Sequence, residues 1–220
     1  MRPVFHPVAD HAVLVEFADQ IDPAAHAAVL RLDQALAAQP FAGFAEAIPA
    51  FVTLLVDFDP AETDHARVTH HLRGLLEVPV SARPAPALHE VPVCYEPDFA
   101  PDLPDVARAC GLTPEAVIAA HLAGRYEVAM YGFAPGYAYL SGLPEAIRLD
   151  RKPSPKRGVA AGSVIIAGAQ CLVTTLTMPT GWWIIGHSPL KILTGETDHP
   201  FRFEVGDHIA FRRIRAEALP

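Results

Sequence analysis

The first quarter of the chain shows a strand-like apolar run followed by helix-like hydrophobic spacing. Residues 12–17 predict a strand because they are apolar and partly β-branched. A helix is predicted from Pro23, since Asp22 can cap its N-terminus and a proline suits the first helical position, and it should end before Pro40. Its buried face is formed by residues spaced three and four apart: Val29, Leu32 and Leu36.

The next segment repeats this strand and helix alternation. Residues 44–48 and 53–58 predict two short strands separated by Pro49. Asp59-Pro60 resembles the first helix start, and Glu62 at the third helical position can close a capping box. The predicted buried face of this helix consists of four residues: Val68, Leu72, Leu75 and Leu76.

A strand predicted at residues 89–95 completes the order β-α-β-β-α-β, which is typical of a ferredoxin-like sandwich. The proline-rich residues 79–92 predict an extended linker. We therefore expect an α+β protein with a ferredoxin-like domain at residues 1–88 and a second domain at residues 89–220.

The second half begins with two predicted short helices and continues almost entirely as strands. The helices fall at residues 103–110 and 114–122, each ending before a glycine. Seven strands are predicted after them, at residues 126–131, 137–140, 164–167, 171–174, 183–187, 201–205 and 208–212. Many short strands joined by glycine and proline turns favour a closed β-barrel.

Composition narrows the function classes. The 220 residues are 51% hydrophobic and carry a net charge of −8, which disfavours nucleic acid or an anionic membrane as partner. No apolar run approaches the ~20 residues of a membrane helix, so a cytoplasmic location is expected. The three cysteines, Cys94, Cys110 and Cys171, form no CxxC pair and are interpreted as buried hydrophobic residues.

Residues 131–144, YGFAPGYAYLSGLP, form the most unusual segment of the chain. Gly132, Pro135 and Gly136 restrict or free the backbone between aromatic side chains that include Tyr131, Phe133, Tyr137 and Tyr139. Such a segment is typical of a binding loop. Tight turns between barrel strands, with the aromatic residues in the core, are an equally good interpretation.

The clearest electrostatic feature is a basic segment of five cations within ten residues: Arg148, Arg151, Lys152, Lys156 and Arg157. Pro153 and Pro155 keep it extended, so its cations can contact a phosphate or carboxylate from several sides. A solvated loop is the alternative. The small residues that follow, Gly162 and Ser163 among them, let backbone amides approach an anion. No Walker A or GxGxxG pattern is present.

The remaining candidates are isolated polar or aromatic residues. His121 lies on the apolar side of its predicted helix, where a hydrogen-bonded core histidine is the commoner outcome. Another group consists of Gln170, Gly181, Trp182, Trp183 and His187. Adjacent tryptophans on a strand point to opposite faces, so one of the two should face solvent, a ligand or a partner. No metal-ligand spacing such as HExxH occurs, so no metal site is expected.

Together these segments resemble the family variously called allophanate hydrolase subunit 1, sporulation kinase inhibitor or the 5-oxoprolinase B subunit, of the carboxyltransferase subdomain C/D type. The resemblance is carried by residues 131–137, 139–140, 151–157, 161–164 and 181–186. It implies an N-terminal ferredoxin-like domain and a C-terminal cyclophilin-like barrel. It also implies two partners: a second barrel subunit, of the allophanate hydrolase subunit 2 type, that completes the site, and a separate lactam-hydrolase subunit.

The activity implied by the resemblance is ATP-dependent opening of 5-oxo-L-proline to L-glutamate, with Mg²⁺ accompanying the nucleotide. The implied catalytic residues are His121, Arg151 and Arg157. The implied binding residues are Tyr131, Gly132, Phe133, Pro135, Gly136, Tyr139, Lys156, Gly162, Ser163, Gln170, Gly181, Trp182 and His187.

The chain also departs from the family pattern: Lys156, Gly158 and His187 stand where arginines are usual. Fewer arginines mean fewer bidentate anion contacts, so altered substrate or reduced activity is a further expectation. Two other interpretations share the fold. One is a regulatory protein that inhibits a histidine kinase, and the other is a carboxyltransferase-type subunit acting on urea derivatives with biotin.

Overall fold

The computed structural model describes residues 2–77 and 85–219, which fall into two compact units, Met1–Ala85 and Pro86–Pro220. Residues 79–84 of the linker predicted at residues 79–92 lie outside the described residues. Its last part, from Leu88 onward, is strand. Within the described residues, no helix is both long and apolar enough to cross a membrane.

The first unit is a four-stranded antiparallel sheet with two helices. In chain order its elements are β1 (Val4–Val8), β2 (Ala12–Glu16), α1 (Pro23–Ala38), β3 (Phe44–Ala50), β4 (Thr53–Phe58) and α2 (His65–Glu77). Its strand order is β1-β2-β4-β3, with every neighbouring pair antiparallel. Alternate residues of β2 and β4 are paired, Val13 with Val56 and Val15 with Leu54, and they share one buried cluster with both helices.

The order of elements in this unit differs from the prediction. The strand predicted at residues 89–95 belongs to the second unit, and β1, which was not predicted, pairs with β2 at the sheet edge. The reason is that β1 is mostly exposed, so its sequence lacks the alternation that marks a half-buried strand. The unit thus has the order β-β-α-β-β-α.

The helix boundaries show which start signal is used. Asp22 accepts a hydrogen bond from the Ala25 amide at 2.9 Å, which confirms the predicted cap of α1. The second start is wrong: α2 begins at His65, because Asp64 rather than Asp59 caps it through the Arg67 amide at 2.9 Å. Leu76, assigned to the buried face, is exposed.

The second unit is a closed seven-stranded barrel with two helices and a two-stranded ribbon. Its helices are α3 (Leu103–Ala109) and α4 (Pro114–Ala123). Its strands are β5 (Leu88–Cys94), β6 (Tyr126–Tyr131), β7 (Ala138–Ser141), β8 (Lys156–Val159), β9 (Ser163–Ala167), β10 (Gln170–Val173), β11 (Met178–Thr180), β12 (Trp183–His187) and β13 (His208–Ile214). The barrel runs β6-β13-β5-β12-β9-β10-β7 and closes through β7 and β6, whereas β8 and β11 form the ribbon.

Strands β9 and β10 are buried on both faces. Val164, Ile166 and Cys171 belong to the main barrel cluster, whereas Ile165 and Leu172 belong to a second cluster. Since successive strand residues point to opposite faces, this second cluster lies on the outer face of the barrel wall. It also contains Val159 of β8 and, at its edge, Met178 of β11, so the ribbon covers this part of the wall.

Two details of the barrel differ from the predicted strands. Residues 201–205 form only an isolated bridge, from Phe201 to Leu193, and not a strand. Glu204 is instead held in a turn, where its amide donates to the Asp207 carboxylate at 2.9 Å. The ribbon strands β8 and β11 were not predicted, because they are short and rich in charge, proline or glycine.

Candidate functional site

The loop between β6 and β7 keeps one shape through unusual backbone angles and a long-range hydrogen bond. Phe133 has φ +68° although it is not glycine, and its side chain is 77% exposed. Gly136 has φ +73°, and a Cβ there would lie 2.9 Å from the Leu193 side chain. The Thr175 hydroxyl donates to the Pro135 carbonyl at 2.5 Å. Strained, fixed loops of this kind are common at binding sites.

This loop and the basic segment meet at one cleft, which we call the arginine cleft. Its volume is about 170 Å³, and its polar and aromatic lining residues are Phe133, Tyr137, Tyr139, Arg151, Thr180 and Trp182. Its apolar lining residues Ile165 and Leu172 belong to the outer face of the barrel wall. The cleft therefore lies between the wall, the loop and the segment before the ribbon.

Aromatic rings position the cation of the arginine cleft. The Arg151 guanidinium carbon lies 5.8 Å from the centre of the Trp182 ring, within the range of a cation–π contact. Tyr139 meets Trp182 edge to face at 5.8 Å, and the Phe133 and Tyr137 rings lie 5.9 Å apart. Arg151 forms no ion pair with any residue in the described part of the chain.

The two tyrosines of the arginine cleft are neutral phenols. Burial raises the pKa of Tyr137 and of Tyr139, and the nearby Arg151 cation partly offsets the rise for Tyr139. Tyr137 is only 3% exposed, and its hydroxyl has no hydrogen-bond partner among residues 2–77 and 85–219. A buried hydroxyl without a partner is unusual, since almost all such groups are paired.

A larger cleft lies on the other side of the loop, and we call it the histidine cleft. It measures about 410 Å³, and its lining includes Gly162, Thr174, Thr175, His187, Lys191 and Leu193. Burial lowers the pKa of His187, so its imidazole is neutral at pH 7. Gly162 has φ +87°, and a Cβ there would lie 2.6 Å from both the His187 ring and the Ser188 carbonyl oxygen.

The Gly162-Ser163 turn beside the histidine cleft is closed by its own hydrogen bonds. The hydroxyls of Ser163 and Thr174 both donate to the Ala160 carbonyl, each at 2.8 Å. Thr174 also accepts from the Ser163 amide at 2.9 Å. The Ser163 hydroxyl therefore stabilises the turn, and its contribution to the cleft is structural.

The other cations of the basic segment have separate environments. Lys156 and Arg157 are exposed on β8 and line neither cleft, although Lys156 is paired in register with Thr180 of the arginine cleft. Lys152 is part-buried and forms an ion pair with Asp102 at 2.6 Å. Since Asp102 also accepts from the Ile184 amide at 2.8 Å, this pair fastens the α3 start to β12.

Three further predicted site residues, His121, Tyr131 and Gln170, also line neither cleft. His121 is fully buried, with its Nδ1 2.7 Å from the Tyr95 hydroxyl, and burial lowers its pKa to about 3. Tyr131 donates to the Phe203 carbonyl at 2.9 Å and stacks on Phe201. Gln170 begins β10 opposite Ala167 in a hairpin. These positions give His121 a core role and leave its ring no access to a ligand.

The structure adds cleft residues that were not among the predicted site residues: Tyr137, Thr180, Thr175 and Lys191. Tyr137 has a usable signal, because alternation along an extended segment places it on the same side as Tyr139. Thr175 has none, since its partner Pro135 lies forty residues earlier. In the described residues, no group of three or more metal-ligand side chains is close enough to hold an ion.

Comparison with known proteins gives consistent results. Residues 3–203 match the family model described as carboxyltransferase domain, subdomain C and D. The 5-oxoprolinase B subunit of Bacillus subtilis (strain 168) is 36% identical, over 94% of this chain and 91% of that protein.

Solved structures show the same fold. The crystal structure of TTHA0988 is 32% identical with a TM-score of 0.83, over 96% of this chain but only 41% of that one. The K. lactis urea amidolyase is 16% identical with a TM-score of 0.78, over 99% of this chain and 15% of that one, which shows a shared fold alone.

Proposed function

This chain belongs to the carboxyltransferase domain, subdomain C and D, family, and we propose on that premise that it is one subunit of an ATP-dependent 5-oxoprolinase. The complex would convert 5-oxo-L-proline, ATP and water to L-glutamate, ADP and phosphate. The observation that carries the proposal is the 36% identity to a 5-oxoprolinase B subunit over nearly the whole of both chains. Because that relative is named as one subunit of an enzyme, its name supports the presence of further subunits.

The chemistry explains why ATP is needed. An unactivated lactam is a poor electrophile, whereas transfer of a phosphoryl group to its carbonyl oxygen creates a good leaving group. Phosphoryl transfer depends mainly on positioning and on cations that neutralise the phosphate oxygens. In this chain we assign those contacts to Lys156 and Arg157, which are exposed on β8 beside the arginine cleft.

At the arginine cleft, a nucleotide fits only along the edge and not inside. Clefts that enclose a ligand of that size measure ~300–1,000 Å³, and the arginine cleft measures about 170 Å³. Lys156 lies next to it, paired with Thr180, so phosphates can contact the ribbon from outside. A second barrel subunit would supply the remaining contacts, Mg²⁺ would enter on the phosphates, and a lactam-hydrolase subunit would complete ring opening in the cytoplasm.

The test is reconstitution of the complex from this chain, the cognate second barrel subunit and the cognate lactam-hydrolase subunit. We expect glutamate and ADP to form in equal amounts from 5-oxo-L-proline, and only when ATP and all three proteins are present. Undiminished turnover without this chain would contradict the proposal. So would a complete complex that releases no glutamate but acts on urea with biotin, or blocks autophosphorylation of a histidine kinase.

A further inference from the structure

We propose that the arginine cleft binds a small ring bearing a carboxylate, and that the nucleotide phosphates bind outside it. This inference rests on the proposed function in one respect, namely that the ring is then 5-oxo-L-proline. It deepens that function by dividing the two substrates between two groups of cations: Arg151 within the cleft for the carboxylate, and Lys156 and Arg157 on the ribbon for the phosphates.

Size is the first argument. A water molecule occupies about 30 Å³ of liquid, so 170 Å³ corresponds to roughly six waters. A five-membered lactam with one carboxylate suits such a space, whereas a nucleoside triphosphate does not. The apolar part of the lining, with Ile165 and Leu172 at the barrel wall, suits the methylene edge of the ring.

Charge is the second argument. Arg151 is held over the Trp182 ring and has no carboxylate partner among the described residues, so its forked donors are available to a ligand. An arginine binds a carboxylate through two parallel hydrogen bonds, which fixes orientation as well as charge. The indole beneath the guanidinium keeps this donor in place before the ligand arrives.

The Tyr137 hydroxyl is the third argument. It belongs to a residue that lines the cleft, it is buried, and it has no acceptor in the part of the chain that the structure describes. Because burial raises its pKa, the phenol stays protonated and requires an acceptor. A ligand carbonyl or carboxylate oxygen meets that requirement, and a purely apolar ligand does not.

The Phe133 side chain lies at the mouth of the arginine cleft. Its backbone is in the left-handed region that a bulky residue rarely occupies, and its ring is 77% exposed 5.9 Å from Tyr137. The surrounding loop must be held firmly to keep this conformation, as the bond from Thr175 to Pro135 shows. The Phe133 ring, held in this position, can cover a ligand ring that is bound against Trp182.

The decisive experiment compares arginine variants in the reconstituted complex. We expect Arg151→Met to raise the KM for 5-oxo-L-proline about tenfold or more, the loss expected for one charge-assisted bidentate contact, with the KM for ATP within about twofold. Arg157→Met should raise the KM for ATP and leave the KM for 5-oxo-L-proline within about twofold. Arg31→Met, an exposed arginine on α1, serves as the matched control and should change neither. A rise in the KM for ATP alone with Arg151→Met would overturn the inference.

A second measurement separates this inference from the proposed function. Calorimetric titration of the complex with 5-oxo-L-proline and with 2-pyrrolidinone, the same lactam without the carboxylate, should show a preference for the acid that Arg151→Met abolishes. If the complex has no 5-oxoprolinase activity, the proposed function fails. Arg151-dependent binding of 5-oxo-L-proline or L-proline would then still support the cleft, whereas no Arg151-dependent binding of either would refute it.

Discussion

The two clefts of the barrel differ in what surrounds a ligand. The arginine cleft is small and lined by side chains, with one cation and two neutral phenols around an indole. The histidine cleft is more than twice as large, and its side chains offer a neutral imidazole and the exposed Lys191, whereas the hydroxyls of Thr174 and Thr175 donate to backbone carbonyls. The first can specify the shape and charge of a ligand, whereas the second has room for a larger ligand and specifies less.

One loop separates these clefts. On one side it contributes Phe133 and Tyr137 to the arginine cleft, and on the other Gly136 touches Leu193 of the histidine cleft. Thr175, which lines the histidine cleft, holds the loop through Pro135. A substitution that breaks this contact should therefore alter both clefts. A substitution deeper in one cleft should alter that cleft alone.

The largest effect on stability is expected from Gly162→Ala, which changes the histidine cleft alone. The new methyl would stand 2.6 Å from the His187 ring and from a carbonyl oxygen, in a left-handed backbone. We expect a loss of about 3 kcal/mol in the free energy of unfolding, measured in urea. Gly158→Ala is the matched control, because its φ is +66° with open space around it, and about 1 kcal/mol is expected. Equal losses would show that the contact with His187 is not tight.

The second largest effect is expected in the pH dependence of the unfolding free energy, which distinguishes His187 of the histidine cleft from His121 of the core. His121 has a pKa of about 3 when folded and 6.5 as its ordinary value, so the unfolded chain takes up the proton and stability falls as the pH drops below 6.5. At pH 5 this amounts to about 2 kcal/mol, which His121→Gln should remove from the pH profile of urea unfolding. His187→Gln should change the profile in the same direction but less. A larger effect at His187 would contradict the assigned burial.

A smaller effect is expected from Thr175→Val, which breaks the contact that both clefts share. Loss of the hydrogen bond to Pro135 should cost about 1 kcal/mol in unfolding free energy. In the reconstituted complex, Thr175→Val should change the KM for 5-oxo-L-proline, and the KM for ATP should be measured beside it. Thr175→Ser keeps the hydroxyl and should retain the wild-type values. Normal kinetics in the valine variant would mean that the loop holds its shape without this bond.

The smallest change in stability is expected from Tyr137→Phe, and its sign is the informative part. Since the buried hydroxyl has no partner in the described residues, its removal should leave the free chain as stable as before or up to about 1 kcal/mol more stable. The same variant should raise the KM for 5-oxo-L-proline about fivefold. A clear loss of stability would show that the hydroxyl has a structural partner.

The fold was predictable where local signals were strong. The cap of α1 and the short apolar runs of β9, β10 and β12 place these elements within a residue or two of their observed ends. Exposed β1 carries no such signal, and neither does the choice between Asp59 and Asp64 as the cap of α2. Both depend on tertiary packing, which outweighs local propensity.

The site was predictable in part for the same reason. Composition and spacing identified the loop and Arg151, which the structure brings to one cleft. They did not distinguish Arg151 from Lys152, although the neighbouring lysine forms a part-buried ion pair with Asp102. That difference depends on α3, some fifty residues earlier, and on which face each side chain takes. His121 is the hydrogen-bonded core histidine that its place on the apolar side of the helix favoured, and it contacts Tyr95 and Phe211.

A crystal structure of the assembled complex with 5-oxo-L-proline tests the central claim most directly. We expect the ligand carboxylate within hydrogen-bond distance of the Arg151 guanidinium, a ligand oxygen on the Tyr137 hydroxyl, and the ring against Trp182. Electron density for the lactam in the histidine cleft, or for a nucleotide phosphate on Arg151, would contradict it.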